Sequence, residues 1–252
     1  MKKERFRTLE FNESIIDDVS RSDEDLQGVP YLFTNQDIRK MLHLAKVGKN
    51  DVFLDLGSGW GQNLIIALTE FHVKKAIGIE NNSERNKISQ KRSQRLKKIG
   101  ITEDRWDVID ADFEHEFLKG KVKDHKLSDA TCVFYGLSTD KSLLNKIEKN
   151  MKKDCRFVCY YDCLFPEIMP EKNGVEYPFF VHTFPFKKTK SELDWLKAII
   201  PKKYSTYDSK KPPAKEELWD ELQHDYDVEM GDSLDVDKYQ KRLKKLLKKN
   251  DS

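Results

Sequence analysis

The stretch Asp51–Asn63, Asp-Val-Phe-Leu-Asp-Leu-Gly-Ser-Gly-Trp-Gly-Gln-Asn, narrows the possible folds more than any other part of the chain. Val52, Phe53 and Leu54 make an apolar strand pattern that runs into Asp55. Gly57, Gly59 and Gly61 follow, and then an apolar, helix-like run from Leu64 to Leu68. A turn this tight between strand and helix needs backbone freedom that glycine has and other residues lack. The bare main chain also lets a ligand approach the free amides at the helix start. A second apolar run, Ala76 to Ile79, ends at Glu80, where an acid can accept hydrogen bonds from both hydroxyls of a ribose. The pattern predicts a cradle for a nucleotide-type cofactor.

The rest of the chain repeats the alternation. Thr34, with Asp37 three residues on, predicts a helix cap, and Ile38, Met41, Leu42 and Ala45 share one face of a helix running to about Val47 and ended by Gly48. Ser83 predicts the cap of a long basic helix to about Ile99. Its thin apolar face places it on the outside of a sheet. Further strands are predicted from Trp106 into an end loop at Phe113, from Ala130 to Tyr135, and from Arg156 to Tyr161, with a helix from Leu143 to Met151. Tyr177–Phe186 predicts one strand or two short ones, in the region where an antiparallel pair is expected. Ser191–Ile200 predicts a helix behind a serine cap. This order argues an α/β fold: a Rossmann-like, seven-stranded, mostly parallel sheet with helices on both faces. We divide the chain into an N-terminal arm and lid helix (1–47), a core (48–200) and a basic, helical C-terminal extension (201–252).

Composition excludes several classes. With 252 residues and a formal net charge of +2, the whole chain carries no strong nucleic-acid signature. The charge is uneven: Lys238–Lys249 holds lysines and an arginine but no acid, which suits contact with nucleic acid or an acidic protein, or equally a docked terminal helix. No apolar run approaches the roughly 20 residues of a membrane span. Met1–Arg5 has no apolar signal segment behind it, so a cytoplasmic location is expected. Cys132, Cys155, Cys159 and Cys163 lack paired metal or disulfide spacing and are read as buried thiols, with no metal site. His182, inside an aromatic run, is read as a structural histidine. The acidic stretch Asp225–Asp237 lacks calcium-loop spacing and is read as a solvated loop.

Asp55-Leu-Gly-Ser-Gly-Trp-Gly resembles the first motif of the seven-stranded S-adenosylmethionine (SAM) methyltransferases. Together with Val29-Pro-Tyr-x-x-Thr34, Gln62, Gly78-Ile-Glu80 and Ala111-Asp-Phe113, it resembles the non-SET, DOT1-like protein-lysine methyltransferases and their small archaeal relatives, over roughly residues 28–162. The resemblance implies SAM as cofactor. Tyr31 and Thr34 would close over it, and Gly57, Ser58, Gly59 and Gly61 would cradle it. Gln62 would meet the methionine carboxylate and Asp55 the amino group. Glu80 would bind ribose, and Asp112 with Phe113 would hold adenine. Val133–Gly136 would frame the methyl acceptor.

Tyr135, Tyr161 and Asp162, at the ends of the fourth and fifth strands, are the candidates to position an acceptor amine. An aromatic channel there would suit a lysine side chain and depress its pKa by desolvation. Direct in-line methyl transfer needs neither a metal nor a covalent enzyme intermediate. The chain departs from the family in two ways. Phe134–Thr139 lacks the asparagine pair of the histone-directed enzymes, and no Asn/Asp-Pro-Pro-Tyr motif of adenine methylation is present. The expected function is therefore SAM-dependent methyl transfer to a protein lysine. The alternatives are an RNA or small-molecule methyltransferase and a catalytically silent SAM-fold binding module.

Overall fold

A computed structural model describes residues 33–98, 104–122, 124–136, 141–160, 168–176 and 179–191, with Asp194, Trp195 and Ala198. Tyr31, Tyr161, Asp162, Cys163 and the whole of 201–252 lie outside the described residues. The elements are α1 (Asn35–Leu44), β1 (Val52–Leu56), α2 (Gln62–Thr69), β2 (Lys75–Glu80), α3 (Ser83–Lys98), β3 (Trp106–Asp110), α4 (Phe113–Phe117), β4 (Lys121–Val122), β5 (His125–Lys126), β6 (Cys132–Tyr135), α5 (Lys141–Asn150), β7 (Arg156–Tyr160), β8 (Val175–Glu176) and β9 (Phe179–Thr183).

Seven strands form one sheet in the order β3-β2-β1-β6-β7-β9-β8, and β4 pairs with β5 separately. The five strands from β3 to β7 are parallel, whereas β9 is antiparallel to both β7 and β8. The order turns back between β1 and β6. There the crossovers leave in opposite directions and a crevice opens at the carboxyl ends of the strands. Right-handed crossovers carry α2 and α3 to one face of the sheet and α5 to the other. Parallel strands covered on both faces must be apolar throughout, and four of the five β1 residues are buried. One of those four is Asp55, the strand's lone acid.

α2 is apolar all round, with Leu64 to Leu68 fully buried, because it packs between sheet and α1. α1 is amphipathic and buries Ile38, Met41 and Leu42. Its two ends are fixed differently. At the start, Thr34 and Asp37 form the expected capping box, with side chain and main chain each satisfying the other. At the finish the expectation is corrected. The helix stops at Leu44, and the left-handed residue is Lys46 (φ 52°), not Gly48. Lys46 N donates to His43 O and Val47 N to Leu42 O, a Schellman arrangement that uses up the last carbonyls.

Arg156, the first residue of β7, then clips this end to the base of the sheet. Its Nη1 donates to Ala45 O (2.5 Å) and Lys46 O (2.8 Å), and its Nη2 pairs with Asp51. Thr131 Oγ1 also donates to Asp51 (2.6 Å). With its carboxyl end held below β1 and β6, α1 delivers Phe33 to the opposite edge, where the crevice lies.

Two elements went beyond the sequence reading. Strand β3 ends at Asp110 and is followed by a short helix, α4, rather than a loop, and the antiparallel pair begins at Val175, before the expected Tyr177. The serine cap is found, with Asp194 N donating to Ser191 Oγ at 3.1 Å. No helix among the described residues is long and apolar enough to cross a membrane.

Candidate cofactor and acceptor site

The glycine turn sits at the crevice, and its three glycines do different things. All have positive φ: 81° at Gly57, 52° at Gly59 and 83° at Gly61. A Cβ on Gly59 would meet nothing within 4 Å, so this face of the loop is open. A Cβ on Gly61 would lie 2.4 Å from Ser89 Oγ and 2.7 Å from the Trp106 ring. Gly61 is therefore demanded by packing as well as by its backbone, and Gly59 by its left-handed φ alone. Ser58 is buried, and its hydroxyl turns inward: a Cβ at Gly78 would stand 2.5 Å from it. Gly78 in β2 thus exists to let the loop lie down on the strand. Gly57 N (2.9 Å) and Ser58 N (3.1 Å) complete that seat by donating to Ile79 O. Gln62 opens α2, whose N-terminus has no side-chain cap.

The two expected carboxylates frame the loop. Glu80 is 4% exposed; Oε2 accepts from Gly59 N and Oε1 from Asn82 N, both at 2.8 Å. Its carboxylate therefore tethers the turn to the strand end, a role the sequence reading did not assign to it. Each oxygen keeps a second lone pair for a hydroxyl. Asp55 is fully buried. Asn63 Nδ2 donates to its Oδ2 at 3.1 Å, while Oδ1 is buried with no hydrogen-bond partner among the described residues. Burial pushes the carboxyl up to about 7; the Asn63 hydrogen bond opposes this and Glu80 adds to it. The orphaned oxygen wants a donor, and a cationic one would restore its charge. Asn63 was missed in the sequence. Its signal was an amide placed directly before five apolar residues, in the first turn of α2.

Asp112 and Phe113 follow β3. Asp112 is exposed and caps α4, its Oδ1 accepting from Glu114 N (2.9 Å) and His115 N (3.4 Å). Phe113 meets Tyr135 edge-on, with ring centroids 5.5 Å apart. Tyr135 is buried at the end of β6 and pairs in register with Leu56, one strand from the turn.

Beside it, Phe33 packs against Phe134 (5.7 Å), Tyr160 (5.1 Å) and Phe179 (5.3 Å). Gly136 leaves room for these rings, since a Cβ there would meet Phe134 at 3.0 Å. The ends of β6 and β7, the start of β9 and the start of α1 thus close an aromatic mouth next to the glycine turn. Tyr160 stands where an aromatic channel at the end of the fifth strand was expected, whereas Phe33 was missed as a site residue, though it directly precedes the Thr34 cap. Thr34 itself is exposed. Its hydroxyl accepts from Asp37 N (3.2 Å) and donates to Asp37 Oδ2 (2.6 Å), so capping occupies its one proton.

Away from the mouth, His182 is buried with Nδ1 3.0 Å from Met169 O, and burial lowers its pKa to about 4, so it stays neutral. Cys132, Cys155 and Cys159 are buried free thiols. Burial pushes Cys155 up to about 12 and Cys132 higher still, so neither forms a thiolate at neutral pH.

Comparison with known proteins addresses the same region. A Protein-lysine N-methyltransferase of Saccharolobus islandicus (strain REY15A) is 34% identical over 135 residues, covering 52% of this chain and 76% of that one. Among solved structures, an RNA methyltransferase from Salinibacter ruber in complex with S-adenosyl-L-homocysteine matches 65% of this chain and 98% of its own at 21% identity and a TM-score of 0.49. A precorrin 8W decarboxylase from Methanobacterium thermoautotrophicum matches 52% and 64% at 22% identity and a TM-score of 0.40. The family described as "Histone methylation protein DOT1" matches residues 33–172. That span starts at the ring plugging the strand ends and takes in every residue of the turn, both carboxylates and every ring of the mouth except Phe179. Covering more than half of the chain, it makes this protein a member of the DOT1 family.

Proposed function

We propose that this chain is a SAM-dependent methyltransferase whose acceptor is the side-chain amine of a protein lysine. One observation carries the reading: an open glycine turn with an orphaned buried carboxylate oxygen stands one strand away from a dry aromatic mouth. The residues fit the cofactor. Asp55 Oδ1 offers an acceptor to an amino group, the uncapped start of α2 suits a carboxylate, and Glu80 suits ribose. The open face at Gly59 leaves space for main-chain contact with the ligand. When bound, SAM supplies a methyl group made electrophilic by a sulfonium.

The chain's own part is to hold, dry and align. Phe33, Phe134, Tyr135, Tyr160 and Phe179 exclude water from the mouth. Their ring faces favour a passing cation. The same dryness disfavours an ammonium that has no partner, so an entering lysine gives its proton to solvent and presents its lone pair. In-line displacement then needs alignment more than a base. Tyr135 is buried beside the turn and is the aligning group on β6. Tyr31 keeps the role that the family resemblance gives it, and Tyr161 and Asp162 keep theirs as candidates to position the acceptor amine. The basic run Lys238–Lys249 is the part of the chain suited to an acidic surface on the partner. The lysine methyltransferase from Saccharolobus islandicus supports this choice of acceptor.

The test is methyl transfer from labelled SAM into separated protein, RNA and small-molecule fractions of a cell extract. Methyl-lysine in the protein fraction is expected, detected by mass spectrometry of digested bands. Label confined to RNA or small molecules would overturn the lysine assignment. Tight cofactor binding with no transfer into any fraction would overturn the enzymatic reading.

A further inference from the structure

Helix α3 is unusual in what it buries. Of its 16 residues, the buried ones are Asn86, Ser89, Arg92 and Leu96. Three of the four are polar, at 1%, 0% and 6% exposure, and they recur every three residues, so they share one face. A helix packed on a parallel sheet ordinarily turns an apolar stripe inward, and burying an arginine costs heavily unless it is held. Each polar member of this face addresses the glycine turn or the strand end that frames it.

Asn86 Nδ2 donates to Glu80 O at 3.2 Å. Ser89 Oγ fills the space that a side chain on Gly61 would need. Arg92 Nη1 donates to Trp60 O at 2.7 Å, across 32 positions in the chain. Trp60 lies between Gly59 and Gly61 and is itself 6% exposed, so the turn carries a buried side chain at the same residue whose carbonyl is held from α3.

We infer that Arg92 is a positioning residue for cofactor binding, fixing through the Trp60 carbonyl the left-handed course of Gly59–Gly61. The inference rests on the proposed SAM cradle. A turn made of glycines has many accessible conformations, and only one leaves its open face shaped for a ligand. Glu80 restrains that turn at Gly59 N from the strand side. Arg92 restrains it one residue later from the helix side, and the charged donor makes this hold stronger than a neutral one. The pull on the carbonyl is independent of the ligand, so the turn is set before binding. Arg92 is buried and acts on the site through the Trp60 carbonyl, so its effect belongs in cofactor affinity rather than in turnover.

The experiment compares wild type, Arg92→Met and Arg92→Lys, each assayed well below its own thermal midpoint. Three quantities are read: the Kd for S-adenosylhomocysteine by calorimetry, and KM for SAM and kcat from transfer assays. Losing one charge-assisted hydrogen bond that shapes the site should weaken binding and raise KM by about 10-fold or more in Arg92→Met. Saturating SAM should leave kcat within about 2-fold, and Arg92→Lys should recover part of the loss because it keeps a charged donor. A merely structural arginine would lower the midpoint without this split.

Folded Arg92→Met with wild-type Kd and KM would overturn the inference and leave the cradle standing. Wild type that fails to bind S-adenosylhomocysteine would remove the cradle and the inference with it. Should Arg92→Met not fold, Arg92→Lys decides. A KM raised about 3-fold or more with faster amide exchange at Trp60 and Gly61 supports the role, and unchanged values reject it.

Discussion

Asp55 shows how one side chain can be shaped by burial for a ligand's charge. Its folded-state pKa of about 7 lies above the ordinary 3.8 because burial penalises the carboxylate. Folding therefore takes up a proton between these values. Stability from Asp55 is fully present below about pH 4 and is lost as pH rises to about 7. His182 runs the other way over nearly the same window. Its pKa is lowered to about 4, so its stability is present above 6.5 and is lost as pH falls. The pH profile of the wild type alone mixes the two.

Asp55→Asn separates them. Relative to wild type, its urea midpoint should improve steadily from pH 4 to pH 7 and then level. A constant difference across that range would refute the perturbed carboxyl. Asp55→Asn should also weaken S-adenosylhomocysteine binding most at pH 8, where wild-type Asp55 is ionised and the ligand's amino group is cationic.

Helix α1 holds the mouth from a distance. Its start carries Phe33 into the aromatic cluster, while its finish is tied to β7 and Asp51 through Arg156. A ten-residue helix spans about 15 Å, so the clip at one edge of the sheet sets the position of the plug at the other. Arg156→Met would take the donor from two helix-end carbonyls and the cation from Asp51, which among the described residues keeps only its neutral donors Thr131 Oγ1 and Gly48 N. A loss of about 2–3 kcal/mol in urea unfolding is expected. Amide exchange should accelerate along α1 more than along α3, and KM for the acceptor should rise more than KM for SAM. Equal exchange in both helices would mean that the clip does not hold α1.

The molecule as a whole places the turn and the mouth side by side because the sheet order reverses between β1 and β6. A ligand that binds only the folded state raises stability by mass action, by about 2.7 kcal/mol at 100 times its Kd. For a domain of this size, S-adenosylhomocysteine should raise the midpoint by about 5–10 °C. Gly59→Arg should fold with a modest loss, about 1–2 kcal/mol for a left-handed non-glycine residue, yet lose that shift entirely. Gly61→Ala should instead lower the midpoint in the absence of ligand, because its methyl group meets Ser89 and the Trp106 ring. A full ligand shift in Gly59→Arg would show that nothing binds across the turn.

Much of this was written in local chemistry. Glycine spacing, strand alternation, the Thr34-Asp37 cap and the acid after Ile79 all act within a few residues, so the strand–turn–helix unit, the parallel sheet and the Glu80 position could be read in order along the chain. The Schellman stop at Lys46 could not, since a lysine takes a left-handed φ there only because the helix carbonyls and Arg156 hold it. Nor could the partnership of Asp55 with Asn63, or the seating of Ser58 on Gly78. The polar inner face of α3 looked like a thin apolar stripe because its partners, Glu80 and Trp60, lie 6 and 32 positions away. Phe33 joins Phe134, Tyr160 and Phe179 only when β6, β7 and β9 have stacked in that order. Local preference chose the elements. Which side chains share a dry space was chosen by packing distant segments together, where burial sets the cost of every unpaired atom.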